Sequence, residues 1–501
     1  MTAKTYIEPQ TTVPVYDECD VLVVGGGAAG HSAAIAAARA GCKNVVLMER
    51  YGYFGGDVTG GYVIMLPNLS WYDKSFIRGL QEEWFTRLAK YPGTVRAPSL
   101  KEIGSTDAAL VHAYGALHDA VSRATFEGCK TPQLVRSVYF EPNYLKIEMD
   151  KMLLEHSDAI RVLCHSWGTK PIVENGKCTG VVFESKEGRK AVLAKVVIDA
   201  TGDGDLFTRS GAPYQTLADG ETRSSTTALV YRVAGIDWDA FIEWSERNPK
   251  LRMAFGAGLQ KLVGFRIAPI PTNSNDMCWM NNWHAARDCA KIADQTYTEL
   301  HTRATIHDAI DYMRKACPAF RDAYLYDIAP QLGTRCSKRL TGEYVMTAND
   351  FACASKFDDT IAWSSTICQI NDCGPVEIPY RAILPQKVDN LLAPGRHLSA
   401  DNVAIDWLNL IPQCVQTGQA AGVAAAVAVA SGAGAHGVDV KRVQDILVEQ
   451  DVPLPRNELF RAKDPSYEAL VEEKQYGLYT AMAKKAREEA DKASLNAFRQ
   501  W

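Results

Sequence analysis

The sequence predicts an α/β fold, and two observations carry that prediction. An apolar run at Asp20–Val24 leads through a glycine-rich turn into an alanine-rich segment, His31–Ala40, and a second apolar run, Val45–Met48. This order is typical of a strand, a tight turn, a helix and a parallel strand, within the ~30 residues of a βαβ unit. Further apolar runs at Gly180–Glu184 and Ala191–Ile198 predict two strands joined by a turn.

Composition narrows the class of protein. The chain has 501 residues, 47% hydrophobic and 23% charged, which is typical of a globular chain of two or three domains. Its net charge of -5 shows no excess of basic residues of the kind that binds nucleic acid or an anionic membrane. The apolar stretch Ala420–Ala430 is shorter than the ~20 residues of a membrane span, and no secretory signal is recognisable. We therefore expect a cytoplasmic protein whose partner is a small molecule.

The cysteines do not predict a metal site. Thirteen are scattered along the chain without any CxxC pair, so neither a zinc ribbon nor an iron–sulfur cluster is indicated. Cys368 and Cys373 have the spacing of some flavoprotein redox disulfides, but they lie far from the first nucleotide motif. Reduced structural thiols are the favoured interpretation.

The glycine-rich turn predicts a dinucleotide-binding site. Gly25 permits the tight turn, Gly27 lets the backbone approach a pyrophosphate, and Gly30 allows close packing of helix and strand. The start of the helix offers unpaired N–H groups to the anion. Glu49, at the end of the second strand, is expected to accept hydrogen bonds from ribose hydroxyls.

Apolar periodicity predicts several helices and one more strand outside this unit. The predicted helices are Lys74–Leu88, Ala108–Val121, Tyr144–Leu154, Ala285–Leu300, Thr305–Cys317, Pro412–Ser431 and a charged segment in the tail, Tyr467–Phe498, and the predicted strand is Ile160–His165.

Four separated segments resemble one family. GGGAAG with ERYGYFGGDVTGG, then DATGDGD, LGTRCSKRLTGEYVMTANDF and finally IPYRAILPQKVDNLLAPGRHLSA with PQCVQTGQAAGVAAA are similar to the FAD-dependent oxidoreductases related to the flavoproteins of fumarate reductase and succinate dehydrogenase. The resemblance implies a glutathione-reductase-type, Rossmann FAD-binding domain with an inserted α+β substrate domain and a helical tail. The implied division is residues 1–233 for the first part of the FAD-binding domain, with a helical insertion at about 62–135, 234–374 for the substrate domain, 375–435 for the last FAD-binding part and 436–501 for the tail.

The resemblance also implies the cofactor residues. It places Pro412 at the start of a helix, so that the N–H groups of Gln413 and Cys414 face the flavin. Tyr53 and Phe54 stand where some relatives carry an attachment histidine, so the implied FAD is noncovalent. The complete set of implied contacts is Gly25, Gly27, Ala28, Ala29, Gly30, Glu49, Arg50, Gly55, Gly56, Asp57, Ala200, Thr201, Gly202, Asp203, Gly395, Arg396, Gln413 and Cys414.

Flavin chemistry needs a group that moves a proton near the reacting carbon. The candidates share a position near the implied flavin crevice or in the inserted domain: His397, His284, Asn402, Asp406 and Asn409. A structural role is the alternative for each histidine.

The expected substrate site lies between the flavin and the inserted domain, with the segment CWMNNWHAARD on one wall and the His397–Asn409 loop on the other. The family often has His, Glu and Arg where this chain has Asn402, Val403 and Asn409. The missing Arg argues against transferring a dicarboxylate substrate from those relatives. The tryptophans offer stacking to a ring, with core packing as the alternative.

The predicted function is oxidation of a small organic molecule at CH–OH, CH–CH or CH–NH by FAD. Two alternatives remain open: reduction of an activated double bond, and electron transfer as a subunit of a larger complex. The electron acceptor is not indicated by any motif, and the sequence is compatible with a homo-oligomer.

Overall fold

The computed structural model describes residues 4–67, 69–71, 73–115, 123–124, 133–216, 227–284, 287–352, 355–364, 375–402 and 404–454. Val403, Cys368, Cys373, the tail helix Tyr467–Phe498 and the end of the predicted helix at Val121 lie outside these residues.

The helices of the described residues are α1 Ala28–Arg39, α2 Leu80–Leu88, α3 Ala108–Gly115, α4 Pro142–Leu154, α5 Phe207–Ser210, α6 Trp238–Arg247, α7 Pro249–Val263, α8 Ile292–Ala316, α9 Ala348–Ala352, α10 Ile405–Leu408, α11 Ile411–Ser431 and α12 Val440–Glu449.

The strands are β1 Val15–Val24, β2 Val45–Met48, β3 Met65–Leu66, β4 Ser70–Trp71, β5 Lys74–Ser75, β6 Val95–Arg96, β7 Arg123–Ala124, β8 Gln133–Leu134, β9 Val138–Phe140, β10 Ile160–Leu163, β11 Trp167–Glu174, β12 Lys177–Ser185, β13 Gly188–Asp199, β14 Tyr214–Thr216, β15 Thr227–Ala228, β16 Tyr231–Ala234, β17 Arg266–Pro271, β18 Met277–Trp283, β19 Tyr324–Ile328, β20 Gly333–Thr334, β21 Lys338–Leu340, β22 Thr360–Trp363, β23 Glu377–Pro379 and β24 Leu391–Leu392.

The central sheet has the order β10-β2-β1-β13-β12-β11, with β24 paired to β13. β10, β2, β1, β13 and β24 run parallel, whereas β12 is antiparallel to its neighbours. Val24 is in register with both Met48 and Asp199, so β1, β2 and β13 end at one edge of the sheet. Ligands of such sheets bind beyond the carboxyl ends of the strands.

Two helices cover one face of this sheet near that edge. The first, α1, is almost entirely buried and packs against α11, where alanine and glycine let the two backbones approach closely. Among the described helices, α11 alone is long and apolar enough to cross a membrane, and 72% of its apolar window is buried inside the protein. In this fold α11 is therefore a core helix.

A second core lies in the region of residues 231–328. The sheet β17-β18-β16-β19 packs against α6, α7 and α8 around buried aromatic and aliphatic side chains, including Phe241, Phe255 and Phe320. This sheet begins at Tyr231, slightly before the predicted domain boundary at residue 234. The core holds Cys278 and Met280 of β18, whereas Trp279 belongs to the larger core around α1 and α11.

Three predictions about elements were wrong. The described residues of the insertion at about 62–135 are mixed rather than helical, because the helices α2 and α3 alternate with short strands. The predicted helix Lys74–Leu88 begins only at Leu80, after Gly79 with φ +66°, and Lys74 pairs with Trp71 in a hairpin. The two helices predicted at Ala285–Leu300 and Thr305–Cys317 are one helix, α8, since neither glycine nor proline interrupts the sequence between them. This helix begins only at Ile292, and the predicted start at Ala285 lies outside the described residues.

Candidate functional site

A long cavity of about 860 Å³, including the part open to solvent, lies at the carboxyl ends of β1, β2 and β13. Several segments converge there because parallel strands end at one edge and loops follow them. The lining residues are Val24, Gly25, Gly27, Ala28, Ala29, Met48, Glu49, Arg50, Tyr51, Gly55, Gly56, Asp57, Ser166, Trp167, Gly168, Ala200, Thr201, Gly202, Asp205, Gln331, Pro394, Gly395, Arg396, Asn409, Ile411 and Cys414. We call this space the first cavity.

The three motif glycines have different reasons to lack a side chain. A Cβ on Gly25 would lie 2.5 Å from the Ala200 carbonyl oxygen, and one on Gly30 would lie 1.7 Å from that of Gly25. A Cβ on Gly27 would meet no protein atom within 4 Å, although Gly27 lines the cavity with an ordinary φ of -63°. The protein itself therefore does not explain Gly27, and a ligand that closely approaches the backbone does.

The start of α1 also suits an anion. Its first intrahelical bond runs from the His31 N–H to the Gly27 carbonyl (2.9 Å), so the amides before His31 precede the helical ladder. Ala28 and Ala29 carry such amides and line the cavity. A pyrophosphate placed here would meet these donors and the positive end of the helix dipole.

One end of the cavity has an acid beside aromatic rings. Glu49 accepts hydrogen bonds from the N–H groups of Gly26 (2.5 Å) and Tyr51 (2.8 Å). Burial raises the pKa of Glu49, and these bonds only partly offset that effect. The Arg50 guanidinium lies 4.9 Å from the Tyr51 ring centroid and 5.6 Å from that of Trp167. A ribose and a flat base fit this chemistry.

The other end holds a cation between two carboxylates. Arg396 Nη2 lies 3.1 Å from Asp203 Oδ2, and Arg396 Nη1 lies 3.6 Å from Asp57 Oδ2. Burial acts to raise the pKa of both acids, but Arg396 and Ser337 outweigh it for Asp203, whose net shift is downward. The net shift of Asp57 is upward. Asp57 Oδ1 and Arg396 Nε are buried without a hydrogen-bond partner, as expected where a polar ligand would lie.

A second cavity of about 790 Å³, likewise including the part open to solvent, adjoins the first. Asp57, Asn409 and Ile411 line both cavities. The other residues around it come from the insertion, the second sheet, the β20 region and the start of α11: Gly61, Val63, Met65, Leu66, Pro67, Ala228, Val230, Trp279, Asn281, Asn282, Trp283, Gly333, Thr334, Arg335, Leu410 and Pro412. The CWMNNWHAARD segment and the end of the His397–Asn409 loop thus border one space.

The structure places His397 away from both cavities. Its side chain is fully buried, lines neither cavity, and packs edge-on against Phe207. Nδ1 accepts a hydrogen bond from the Gly204 N–H (3.1 Å), so Nε2 donates to the Asp199 carbonyl (3.0 Å). Burial lowers the pKa of His397. Both ring nitrogens are engaged within the protein, so His397 braces the loop after β13.

Three other catalytic candidates, His284, Asn402 and Asp406, also lie away from the cavities. His284 contacts the Thr302 hydroxyl through Nε2 (2.8 Å), and burial lowers its pKa to about 3, so it is a neutral structural histidine. Asn402 is exposed and Asp406 is buried on α10, and neither lines a cavity. Of the candidates, Asn409 alone reaches both cavities.

Most predicted cofactor contacts line the first cavity, and three do not. Gly30 packs against Gly25, Asp203 holds Arg396, and the Gln413 side-chain amide donates to the Trp407 carbonyl (3.0 Å). The Cys414 N–H is also not free for a ligand, because it donates to the Leu410 carbonyl (3.1 Å) in the first bond of α11. The helix begins at Ile411, one residue before the predicted start, which shifts the free amides by one position.

Several lining residues were missed. Ser166, Trp167 and Gly168 follow β10, and their only signal was that a predicted strand ends just before them. Gln331 and the apolar residues from Val63 to Pro67 carry no local pattern that points to a ligand.

A family model described as FAD dependent oxidoreductase matches residues 20–447. A stretch of 67 residues is 46% identical to a urocanate reductase of Eggerthella lenta, which is 13% of this chain and 11% of that relative. The chain thus spans only a small part of the relative that it matches.

Two solved structures illustrate a likeness at low sequence identity. A geranylgeranyl bacteriochlorophyll reductase-like protein of Thermoplasma acidophilum is 16% identical, with 94% of this chain and 88% of that chain covered and a TM-score of 0.45. A flavocytochrome c3 fumarate reductase in its open conformation is 15% identical, with coverages of 83% and 79% and a TM-score of 0.35.

Proposed function

Because the chain belongs to the FAD-dependent oxidoreductase family, with FAD as its cofactor, we propose that it oxidises a small organic molecule at a CH–OH, CH–CH or CH–NH bond. The observation that carries this proposal is the junction at Asp57, Asn409 and Ile411, where a cavity suited to the dinucleotide meets a second, less polar cavity. When bound, FAD supplies a flavin that accepts a hydride. The protein's own task is to hold the donor there and to take up its proton.

The first cavity has groups for each part of FAD. Glu49 and the Arg50–Trp167 pair suit the adenosine, and the start of α1 with Gly27 suits the pyrophosphate. The flavin end then falls toward Asp57, Arg396 and the start of α11. We still predict that FAD is bound to the protein noncovalently.

A Gly27→Val variant should fold but lose FAD, because its side chain would enter space that is empty of protein and needed by the pyrophosphate. The flavin-to-protein absorbance ratio of the purified variant measures the loss, and circular dichroism checks its fold. Gly256→Val is the matched control, since its Cβ would also be nearly unobstructed but lies on α7, outside both cavities. Stoichiometric FAD on folded Gly27→Val would show that the cofactor binds elsewhere.

Asp57 is the group that we propose accepts the proton. It lines both cavities, has a buried oxygen without a partner, and is less strongly paired with Arg396 than Asp203 is. Environments that push the pKa values of two neighbouring acids apart assign them different roles. Asp203 remains the counter-ion of Arg396, while Asp57 is free to change its charge. The charged groups that face Asp57 are Arg396, Arg335 and Asp203.

The pH dependence of flavin reduction tests this role. Only the Asp57 carboxylate accepts a proton, and its pKa lies above the ordinary value, so the rate of anaerobic reduction should rise with pH through that raised pKa. Asp57→Asn should remove this rise and slow reduction at least ~100-fold. Stopped-flow absorbance measures both. Asp150→Asn removes another carboxyl whose pKa burial raises, outside both cavities, and should keep the wild-type profile.

A panel of alcohols, amines and saturated carbonyl compounds, added to the yellow protein without oxygen, tests the proposed reaction. Bleaching by at least one compound supports it, and admission of air then shows whether dioxygen is the acceptor. A panel that never bleaches the flavin contradicts oxidation of a donor.

A second candidate is reduction of an activated double bond, which the 67-residue similarity to a urocanate reductase favours. To test this candidate, the flavin of the protein is first reduced chemically, and the reduced protein is then mixed anaerobically with urocanate or another conjugated acid. Rapid return of the yellow colour would favour this direction over oxidation.

A further inference from the structure

Strand β18 presents two different faces. Cys278 and Met280 point into the core of the second sheet, whereas the alternate residues Trp279, Asn281 and Trp283 line the second cavity; Asn282 also borders this cavity, with its side-chain amide bound to the Leu229 backbone. These alternate because successive side chains of a strand point to opposite sides. The cavity therefore has one wall with two indole rings and a carboxamide between them.

The indole of Trp279 carries an unused donor. Trp279 is only 2% exposed, and its Nε1 is buried without a hydrogen-bond partner. An unmet buried donor costs about 1–3 kcal/mol. Trp84 and Trp238 have the same defect among the described residues, but of the three only Trp279 lines either cavity. Trp279 is therefore the one of these three indoles that a ligand in the second cavity would contact.

The remaining walls are mainly apolar. Val63, Met65, Leu66 and Pro67 come from the insertion, and Leu410 and Pro412 flank the start of α11. Tryptophan and methionine side chains make favourable contacts with aromatic rings. The polar side chains that line the cavity, and that are placed to orient a ligand, are Asp57, Asn281, Asn282, Thr334, Arg335 and Asn409.

We propose that the second cavity binds an aromatic compound with a hydrogen-bond acceptor, and that the acceptor receives the Trp279 indole N–H. This inference rests on the proposed function, because it names the class of compound that is held beside the flavin. The ring of this compound lies among Trp279, Trp283 and Met65, and its hydrogen-bond acceptor lies toward Trp279.

Three small probes and the FAD-loaded protein test the proposal without turnover. Benzamide has both features, cyclohexanecarboxamide lacks the aromatic ring, and ethylbenzene lacks the acceptor. Affinities are measured from the change in flavin absorbance and by calorimetry. We expect benzamide to bind at least 5-fold more tightly than either of the other two. Failure of benzamide to bind, or equal affinity for cyclohexanecarboxamide, would overturn the aromatic assignment.

Trp279→Phe removes the donor and retains an aromatic ring. This variant should bind benzamide at least 5-fold more weakly than the wild type, and its affinity for ethylbenzene should change less than 2-fold. Trp238→Phe removes an equally buried, unpartnered indole N–H outside both cavities and should change neither affinity. Equal effects of Trp279→Phe on both probes would overturn the hydrogen bond. Should that variant not fold, equal affinities of the wild-type protein for benzamide and ethylbenzene would overturn the hydrogen bond to the acceptor.

The outcomes separate this inference from the proposed function. If benzamide binds as expected but no panel compound bleaches the flavin, the proposed oxidation is wrong and the aromatic site stands. If panel compounds bleach the flavin but benzamide does not bind, the aromatic site is wrong and the oxidation stands.

Discussion

A Gly422→Val variant is expected to lose at least about 3 kcal/mol of stability and most of its FAD. A Cβ at Gly422 would lie 2.1 Å from the Ala33 carbonyl oxygen of α1, and one at Gly418 would lie 2.2 Å from that of Ala29. These neighbours are backbone atoms of a buried helix, so no side-chain rotation relieves the overlap. The two helices must separate, and the start of α11 would then move away from the first cavity.

Thermal denaturation in saturating FAD measures the stability loss, and the flavin absorbance of the purified protein measures binding. Ala430→Val adds the same kind of side chain to the exposed end of α11 and should change stability by about 0.5 kcal/mol or less. A Gly422→Val protein with the wild-type midpoint and full FAD content would mean that α1 and α11 pack less closely than described.

The dinucleotide half of the site could be predicted because its signals are local. Gly25, Gly27 and Glu49 lie within one strand–turn–helix–strand unit, and the β2 bounds agree with the predicted Val45–Met48. The two glycines act through backbone geometry and Glu49 acts through its carboxylate, and residues nearby in the sequence determine the position of all three. The same reasoning located the start of α11 to within one residue.

The proposed proton acceptor, Asp57, could not be predicted in this way. His397 follows an apparent strand end, as a residue facing the crevice would, but Gly204 and Asp199 occupy both of its ring nitrogens. Those partners lie almost two hundred residues away in the sequence and leave no local pattern. Asp57 was predicted as a cofactor contact, and its place at the junction emerges only when the second sheet closes the other cavity.

Substitution of Arg232 is expected to give the second large loss of stability, because this residue joins three parts of the chain. It lies on β16 with its side chain 1% exposed, and its guanidinium binds Asp327 of β19 through two hydrogen bonds of 2.6 and 2.9 Å. Arg232 Nη1 also lies 2.6 Å from Glu141 Oε2, at the start of α4. Tyr62 donates to Asp327 (3.1 Å) and lies directly before the residues that line the second cavity.

Arg232→Met should therefore cost about 3 kcal/mol, the lower end of the range for breaking a buried ion pair. The lower end applies because Glu141 and Asp327 keep 20% and 25% of their side chains exposed, so water partly compensates the lost partner. Arg232→Lys should lie between wild type and Arg232→Met, since an ammonium retains the charge but not the two-pronged geometry.

Thermal denaturation of the FAD-loaded variants ranks the three proteins. The matched control is Arg247→Met, whose side chain is 77% exposed in an i,i+4 pair with Glu243 and should contribute at most about 0.5 kcal/mol. The benzamide affinity of Arg232→Met should also fall, because Tyr62 loses the charged cluster that holds it beside the wall at Val63–Pro67. If Arg232→Met keeps the wild-type stability but binds benzamide more weakly, Arg232 is a positioning residue only. If neither the stability nor the benzamide affinity changes, the ion pairs of Arg232 do not connect the second sheet to the second cavity.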